Sequence, residues 1–393
     1  LKNRGRWVFD GVGPRFTIGL LSFERSQPDS DETLPLRGPY PDEQSYQRGL
    51  ESEPYELAAE SATEWTGSAG FPMLPADPRS VGVFRQLTEH PPLDLDEPDE
   101  WRARPYRELD ETNDKTADDG TQLIHQTDDP PDDYWPVLDG GSINPSDDQR
   151  WIMDTGTRFG WADPDVMLDF LQEARENSYV YAGSRSGFSE FDEAWVNDPD
   201  TLPCLDYRIA FRDVTQRTNQ RTVLASLIPP EKFLTNKAPY FLWPRGDERD
   251  EAYLLGVLNS IPLDWYARRF VEINLNYHIL NSFPIPRPGR DDTLRQRVVD
   301  LAGRLASQSD EYDDWADAVG VDYGPLADDE QMELIHELDA VVAHLYGLTR
   351  EHVEVIFETF HDNWNHEPRL DAVLDHYDEW AEKLAASADG TST

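Results

Sequence analysis

The rhythm of apolar and polar positions changes near residue 290. Beyond it, apolar side chains recur at helical spacing, and residues 293–307 are amphipathic. Asp328 or Asp329 is placed to cap a helix through Leu345, with Met332, Ile335, Leu338, Val341, Val342 and Leu345 on one side and Gly347 as its stop. Thr349 caps the next helix, which carries Val353, Ile356, Phe357 and Phe360. One more helix is predicted to reach Leu384 before a disordered tail. Upstream of residue 290 the runs are shorter. Tyr207, Ile209 and Phe211 alternate with Arg208, Ala210 and Arg212, which predicts a half-buried strand with both arginines on its polar face. Residues 222–228 and 240–243 predict two further strands, the first stopped by Pro229 and Pro230. Residues 251–259 predict a helix, and Pro262 opens a second that carries Trp265, Tyr266, Arg268 and Arg269. Residues 274–278 read as a polar-aromatic loop and 284–288 as an extended exit.

The first half is less periodic. Apolar runs at 7–9 and 16–23, separated by turn residues at 10–14, predict a hairpin that must pack on something larger. Residues 26–80 hold few periodic patterns; 67–78 read as loop and 81–90 as one or two helical turns. The acidic, Pro-rich residues 91–136 predict either a linker or a loop-dominated surface. Asp163 and Pro164 start a helix over 163–177, followed by a strand at 179–182 and a turn at 183–187. The fold class predicted is α+β: an N-terminal hairpin, a mixed α/β middle and a helical C-terminal segment. The divisions are 1–85 with the hairpin, 86–136 as an acidic Pro-rich linker or entry segment, 137–290 as the mixed α/β middle and 291–393 as the helical C-terminal segment.

Composition changes the picture in one respect. The formal charge is −43, with 78 Asp and Glu against 35 Lys and Arg, and only five of the cations are lysines. Such acidity suits a halophilic cytoplasm, where salt screens self-repulsion and carboxylates hold water, and it implies no cationic partner. Residues 203–290 escape it, with 12 cations against 9 acids while the remainder holds 23 against 69. A single cysteine, Cys204, excludes an intrachain disulfide framework and a Cys-based zinc finger and fits a reducing cytoplasm. No apolar run approaches a membrane span and no signal peptide is visible, so no membrane partner is expected. The chain opens on Leu1, as a fragment or processed product does.

Complete catalytic constellations are missing. None of the five lysines has Asp or Glu two residues before it, as a carboxylate-x-lysine nuclease core needs. His361 and His366 lie five apart without a third ligand, and there is neither a Gly-rich dinucleotide loop nor a nucleophile elbow. No catalytic or metal-binding residue is assigned. What the 203–290 stretch offers is a set suited to nucleic acid. Arg208, Arg212, Arg217, Arg221, Lys232, Lys237, Arg268 and Arg269 can meet phosphates, while Arg and Asn can bind guanine and adenine edges bidentately. Asn219, Asn236, Asn274, Asn276, Tyr277 and Asn281 add potential base readers. On their chemistry alone the same arginines read rather as a scaffold paired with the surrounding Asp and Glu.

The runs YRIAFRD at 207–213, TNQRT at 218–222, LGVLNS at 255–260, DWY at 264–266 and LNSFPIP at 280–286 resemble the specificity region of adenine-N6 DNA methyltransferases. The kind is that of fused type IIG restriction–modification enzymes and related phage-defence methylases. Further pieces agree in order. NRGRWVFD at 3–10 with FTIGLL at 16–21 is similar to the last strands of the methyltransferase fold. RELD at 107–110 with TNDK at 112–115 resembles the lead-in to the recognition part, and ELDA at 337–340 with LYGL at 345–348 the helical tail. The resemblance implies a target-recognition module for double-stranded DNA. It departs from the family in lacking the Asn-Pro-Pro-aromatic motif and the S-adenosylmethionine loop. Asp129-Pro130-Pro131 is followed by Asp132 and lies downstream of the hairpin. The chain alone is therefore expected to bind no cofactor and to be inactive. S-adenosylmethionine would belong to the complete enzyme, whose catalytic half is fused before Leu1 or carried on another chain. Phe9 matches the family position that faces a flipped adenine, or is hairpin core. From another class, the chain reads as a non-catalytic subunit of a defence complex whose arginine-rich stretch binds a protein.

Overall fold

A computed structural model of the chain describes residues 1–13, 18–20, 33–58, 72–75, 77–146, 150–154, 156–217, 219–361 and 364–390. Among these, nine short strands form three sheets. They are β1 (Thr33–Leu36), β2 (Tyr55–Ala58), β3 (Arg102–Tyr106), β4 (Trp135–Leu138), β5 (Gly160–Ala162), β6 (Arg208–Phe211), β7 (Ala225–Ile228), β8 (Phe233–Leu234) and β9 (Tyr240–Arg245). The largest sheet has the order β3-β9-β6-β7 and is antiparallel throughout. A second, β5-β4-β8, contains the parallel pair β4–β8, and β1 pairs only with β2. With long helices filling the C-terminal third, the chain is α+β.

Strand β6 corrects the sequence reading. It is buried at all four positions rather than on one face. Ile209 and Phe211 join Phe241 in the core shared with the helices, while Ala210 joins Tyr240, Leu242, Leu224 and Phe188 on the other side. Arg208 lies on that second side. Its Nη1 meets Glu108 Oε1 at 2.9 Å with both side chains 3% exposed, its Nη2 donates to Lys232 O, and its guanidinium lies over the Tyr240 ring. The alternation Tyr-Arg-Ile-Ala-Phe-Arg read as half-wet because the cover on the second face comes from distant segments.

The C-terminal helices match their periodicity. The helices Thr293–Ala306, Asp328–Leu345 and Arg350–Glu358 form where predicted, with Thr349 capping the third, and a last helix spans Glu367–Gly390. At the second, Ala327 and not an aspartate holds the cap position; Asp328, Asp329 and Glu330 sit in the first turn, where the helix dipole favours acids. These helices share one core with the helices Glu248–Leu258 and Ile261–Ala267, so residue 290 separates no cores. Gly256 makes this possible. A Cβ there would come within 2.7 Å of Val298 and 3.0 Å of Ala302.

Other expectations shift. Residues 179–182 are not a strand but the last turn of the helix Pro164–Ala182; their β-branched and aromatic content is overridden because nothing breaks the helix before Gly183 at φ 54°. Asp163 and Pro164 begin that helix as read. The acidic 91–136 stretch supplies edge strand β3 and the buried Leu93, Trp101, Leu109, Leu123 and Ile124. Around residues 7–9 no strand forms. Asn3 instead organises a turn, its amide donating to the carbonyls of Phe9 and Val12 and its oxygen accepting from the amides of Val8 and Phe9. Most of the hairpin's second arm, residues 16–17 and 21–23, lies outside the described residues.

One buried carboxylate ties these pieces together. Asp264, in the Ile261–Ala267 helix, has no exposure. It accepts from the Thr222 amide at 3.1 and 3.0 Å and from the Val223 amide at 3.4 Å. It also meets Arg221 Nε at 2.7 Å and Arg268 Nε at 3.4 Å. Asp264→Ala leaves buried cations uncompensated and should cost about 3–5 kcal/mol in denaturant unfolding, and the pair replacement Arg221→Met with Asp264→Leu should recover only part of it, because Arg268 and the Thr222 and Val223 amides stay without their acceptor. A second buried acid sets a pH response. Burial, with repulsion from Asp206, Glu248 and Asp247, pushes the Glu251 carboxyl up to about 8 against the pull of the Trp315 indole N–H. Folding there takes up a proton, so stability falls as pH rises from about 4.5 toward 8. Glu251→Gln should unfold later than the parent at pH 7.5, with the gain vanishing at pH 4.

Candidate nucleic-acid interface

Past β6 the chain stays extended and is gripped from three sides. The Arg212 amide donates to Leu224 O at 3.0 Å, the Asp213 amide to Lys237 O at 3.1 Å, and the Leu275 amide to Asp213 O at 2.8 Å. Val214 bridges Asn274. Residues 212–215 are thereby fixed between the 235–238 turn and the 273–275 strip. The Gly140–Ser142 turn, capped by Asp139, closes over them. It must carry glycine: a Cβ on Gly140 would come within 2.6 Å of Lys237 O and 3.4 Å of Arg212 Cγ.

This clamp brings together Arg212, Asn236, Lys237, Asn274 and Tyr277, five of the residues read from sequence. Asp213 Oδ2 accepts from Asn274 Nδ2 at 3.0 Å and lies 3.8 Å from Lys237 Nζ. Burial raises the Asp213 carboxyl, opposed by Asn274 and Lys237. Asn236 Oδ1 accepts from the Glu111 amide at 3.2 Å. The Tyr277 ring meets Phe211 edge-on, and burial pushes its hydroxyl up, opposed by the charge of Arg107. Asn276 is exposed beside Tyr277, opening the short helix Tyr277–Leu280 without a side-chain cap. Arg107 was not among the candidates. Its side chain is 63% exposed, and it acts with Lys237 on the Asp110 carboxylate. The signal was there in RELD, where Arg107 precedes the Glu108 that anchors Arg208.

The other candidates lie elsewhere. Arg208, Arg221, Arg268 and Arg269 are buried and do not present their guanidinium groups to a duplex. Arg221 Nη2 donates to Asn259 O at the end of the Glu248–Leu258 helix, where Arg150 donates as well. Arg268 donates to the carbonyls of Arg217, Asn219, Gln220 and Phe360, with the Phe360 ring beneath it. Arg269 lies over Trp265, and burial beside Arg268 and Arg217 lowers it to about 9. Arg217 donates to Met73 Sδ, and the Asn219 amide reaches Thr215. Lys232 pairs with Glu311 at 3.1 Å. Asn281 accepts the Asp94 amide through its backbone, while its side-chain oxygen is buried without a hydrogen-bond partner among the described residues. Phe9 is 51% exposed in the Asn3 turn and so is not hairpin core.

Among the described residues no group of three or more His, Cys, Asp or Glu side chains could hold a metal ion, and no helix is long and apolar enough to cross a membrane. Cys204 is buried, its thiol pushed up to about 12 by desolvation, which makes it a poor nucleophile. The side chains gathered at the clamp are hydrogen-bond donors and cations beside the Asp213 and Asp110 carboxylates. No protein-family profile and no curated protein matches the chain. Because the Gly140 turn carries the Lys237 backbone and the Arg212 stem, Gly140→Ala should leave a folded protein weakened by about 1–3 kcal/mol, read from its denaturant midpoint.

Proposed function

We propose that this chain is the DNA-recognition and C-terminal part of a site-specific adenine-N6 DNA methyltransferase of the restriction–modification or phage-defence kind, working in a salt-rich cytoplasm. The observation that carries the reading is the face just described. Arg107, Arg212 and Lys237 gather there with Asn236, Asn274 and Tyr277 in a chain of net charge −43. Donors of this kind hold phosphates and read base edges. The resemblance of the runs at 207–213, 218–222 and 280–286 to target-recognition regions supports the same partner.

Methyl transfer belongs to a separate or fused catalytic half. Of the two sheets that border the face, β3-β9-β6-β7 is antiparallel throughout, and the parallel pair β4–β8 leads into the short Gly140–Ser142 turn and the 235–238 turn, which do not fit the glycine loop and long-helix N-terminus that would hold S-adenosylmethionine. The part played here is to grip duplex DNA and present adenine. The apolar side chains Val180 and Tyr181, 68% and 81% exposed at the end of the Pro164–Ala182 helix, favour a second reading as a non-catalytic protein-binding subunit.

Salt separates the two. Duplex affinity of the full chain, measured by fluorescence anisotropy over a salt series, should fall log-linearly as phosphate contacts release counterions. Arg107→Ala and Lys237→Ala should each weaken binding to all sequences and reduce the slope by about 1. Absence of duplex binding at every salt concentration, with and without a catalytic half, would falsify the proposal.

A further inference from the structure

Arg212 is held differently from the buried arginines around it. Its Nε donates to the backbone carbonyl of Val214 at 3.0 Å, and its stem passes beside Gly140. The backbone on either side is fixed by hydrogen bonds to Leu224 and Lys237. Asp213, its neighbour, turns its carboxylate the other way, to Asn274 and Lys237. Among the described residues no carboxylate or carbonyl takes the Arg212 Nη1 and Nη2 donors, in a chain with 78 acids for 35 cations. By contrast Arg208, Arg221 and Arg268 each face a buried carboxylate.

A guanidinium held through Nε loses part of its rotational freedom and keeps its two terminal nitrogens as a parallel pair of donors. Half-burial removes much of the rotamer freedom that binding would otherwise cost. Such a fork matches two acceptors in one plane, and in the major groove that is guanine O6 with N7. Val214 stands beside it, 38% exposed, an apolar neighbour of the kind that contacts a thymine methyl. Arg107 and Lys237, with side chains 63% and 38% exposed and only long contacts to carboxylates, are the better phosphate contacts. We infer that Arg212 reads one guanine of the recognition sequence; this rests on the DNA-recognition reading and names the base.

The test is selection from a random duplex library by the full chain, with its catalytic half where one exists, comparing the parent with Arg212→Ala, Arg212→Gln and Lys237→Ala. The parent should enrich a motif containing guanine. Both Arg212 variants should lose preference at one G·C pair and bind the parent's best site roughly ten- to a hundredfold more weakly. Lys237→Ala should keep the motif. In the parent, 7-deazaguanine at that pair, which lacks the N7 acceptor, should weaken binding, and in Arg212→Ala it should have no further effect. The parent half of this arm still decides when a variant does not fold, since 7-deazaguanine without effect there is enough to overturn the inference. An unchanged motif with uniformly weaker binding in the Arg212 variants makes Arg212 a phosphate contact and overturns the inference, as does 7-deazaguanine without effect at every guanine of the motif. A parent that binds no duplex ends the recognition reading itself.

Discussion

The structure depends on neutralising carboxylates that it has buried. Asp264 is the clearest case: it holds the amides of Thr222 and Val223 and the guanidinium groups of Arg221 and Arg268 in one place. Its position fixes where the 217–223 loop meets the Ile261–Ala267 helix. The arrangement recurs. Glu108 joins Arg208 to the Leu234 amide, and Asp250 joins Arg290 and Arg295. Asp339 accepts the Ile261 amide at 2.8 Å and pairs with Arg369 at 2.7 Å. Arginine suits all four sites, since it stays charged at low dielectric and its fork satisfies several acceptors at once. A buried pair of this kind adds little net stability, but losing one partner is costly.

The near-neutral charge of residues 203–290 follows from this. Much of the cation excess there is used inside the protein, against acids such as Glu108 that lie far away in sequence. What is left at the face is smaller and more local: Arg212 and Lys237, joined by Arg107 from the acidic stretch, while the exposed Arg290 and the half-buried Arg245 pair with Asp247 and Asp96. A local charge count finds the region where cations are retained but does not say which of them face water.

Sequence pattern showed the helices after residue 290 well, because each buries one stripe against a single core and local spacing records that. It failed where cover is supplied from afar. Nothing within 207–212 reveals that Glu108, Tyr240 and Phe188 close the second face of β6. Nothing in Val180 or Tyr181 shows that the helix begun at Pro164 is long enough to carry them into solvent. For the face, the loop residues Asn236, Lys237, Asn274 and Tyr277 were legible as polar and aromatic side chains between strands. Their convergence was not, since it depends on Gly140 admitting the Lys237 backbone at close range.

The Ile261–Ala267 helix is only seven residues long, yet both of its ends are tied to the C-terminal region. Asp339 holds its first amide, and at the far end Arg268 reaches the Phe360 carbonyl while also gathering the carbonyls of Arg217, Asn219 and Gln220. The C-terminal helices are thus part of the same mechanical frame as the face. The two are therefore coupled mechanically: exchanging the 207–281 segment alone would put at risk the contacts of Asp339 with the Ile261 amide and of Arg268 with the Phe360 carbonyl. A segment boundary that preserved this frame would fall before Met73 and the Ser80–Thr88 helix, which meet Arg217, Arg269 and Tyr266, and after the last helix.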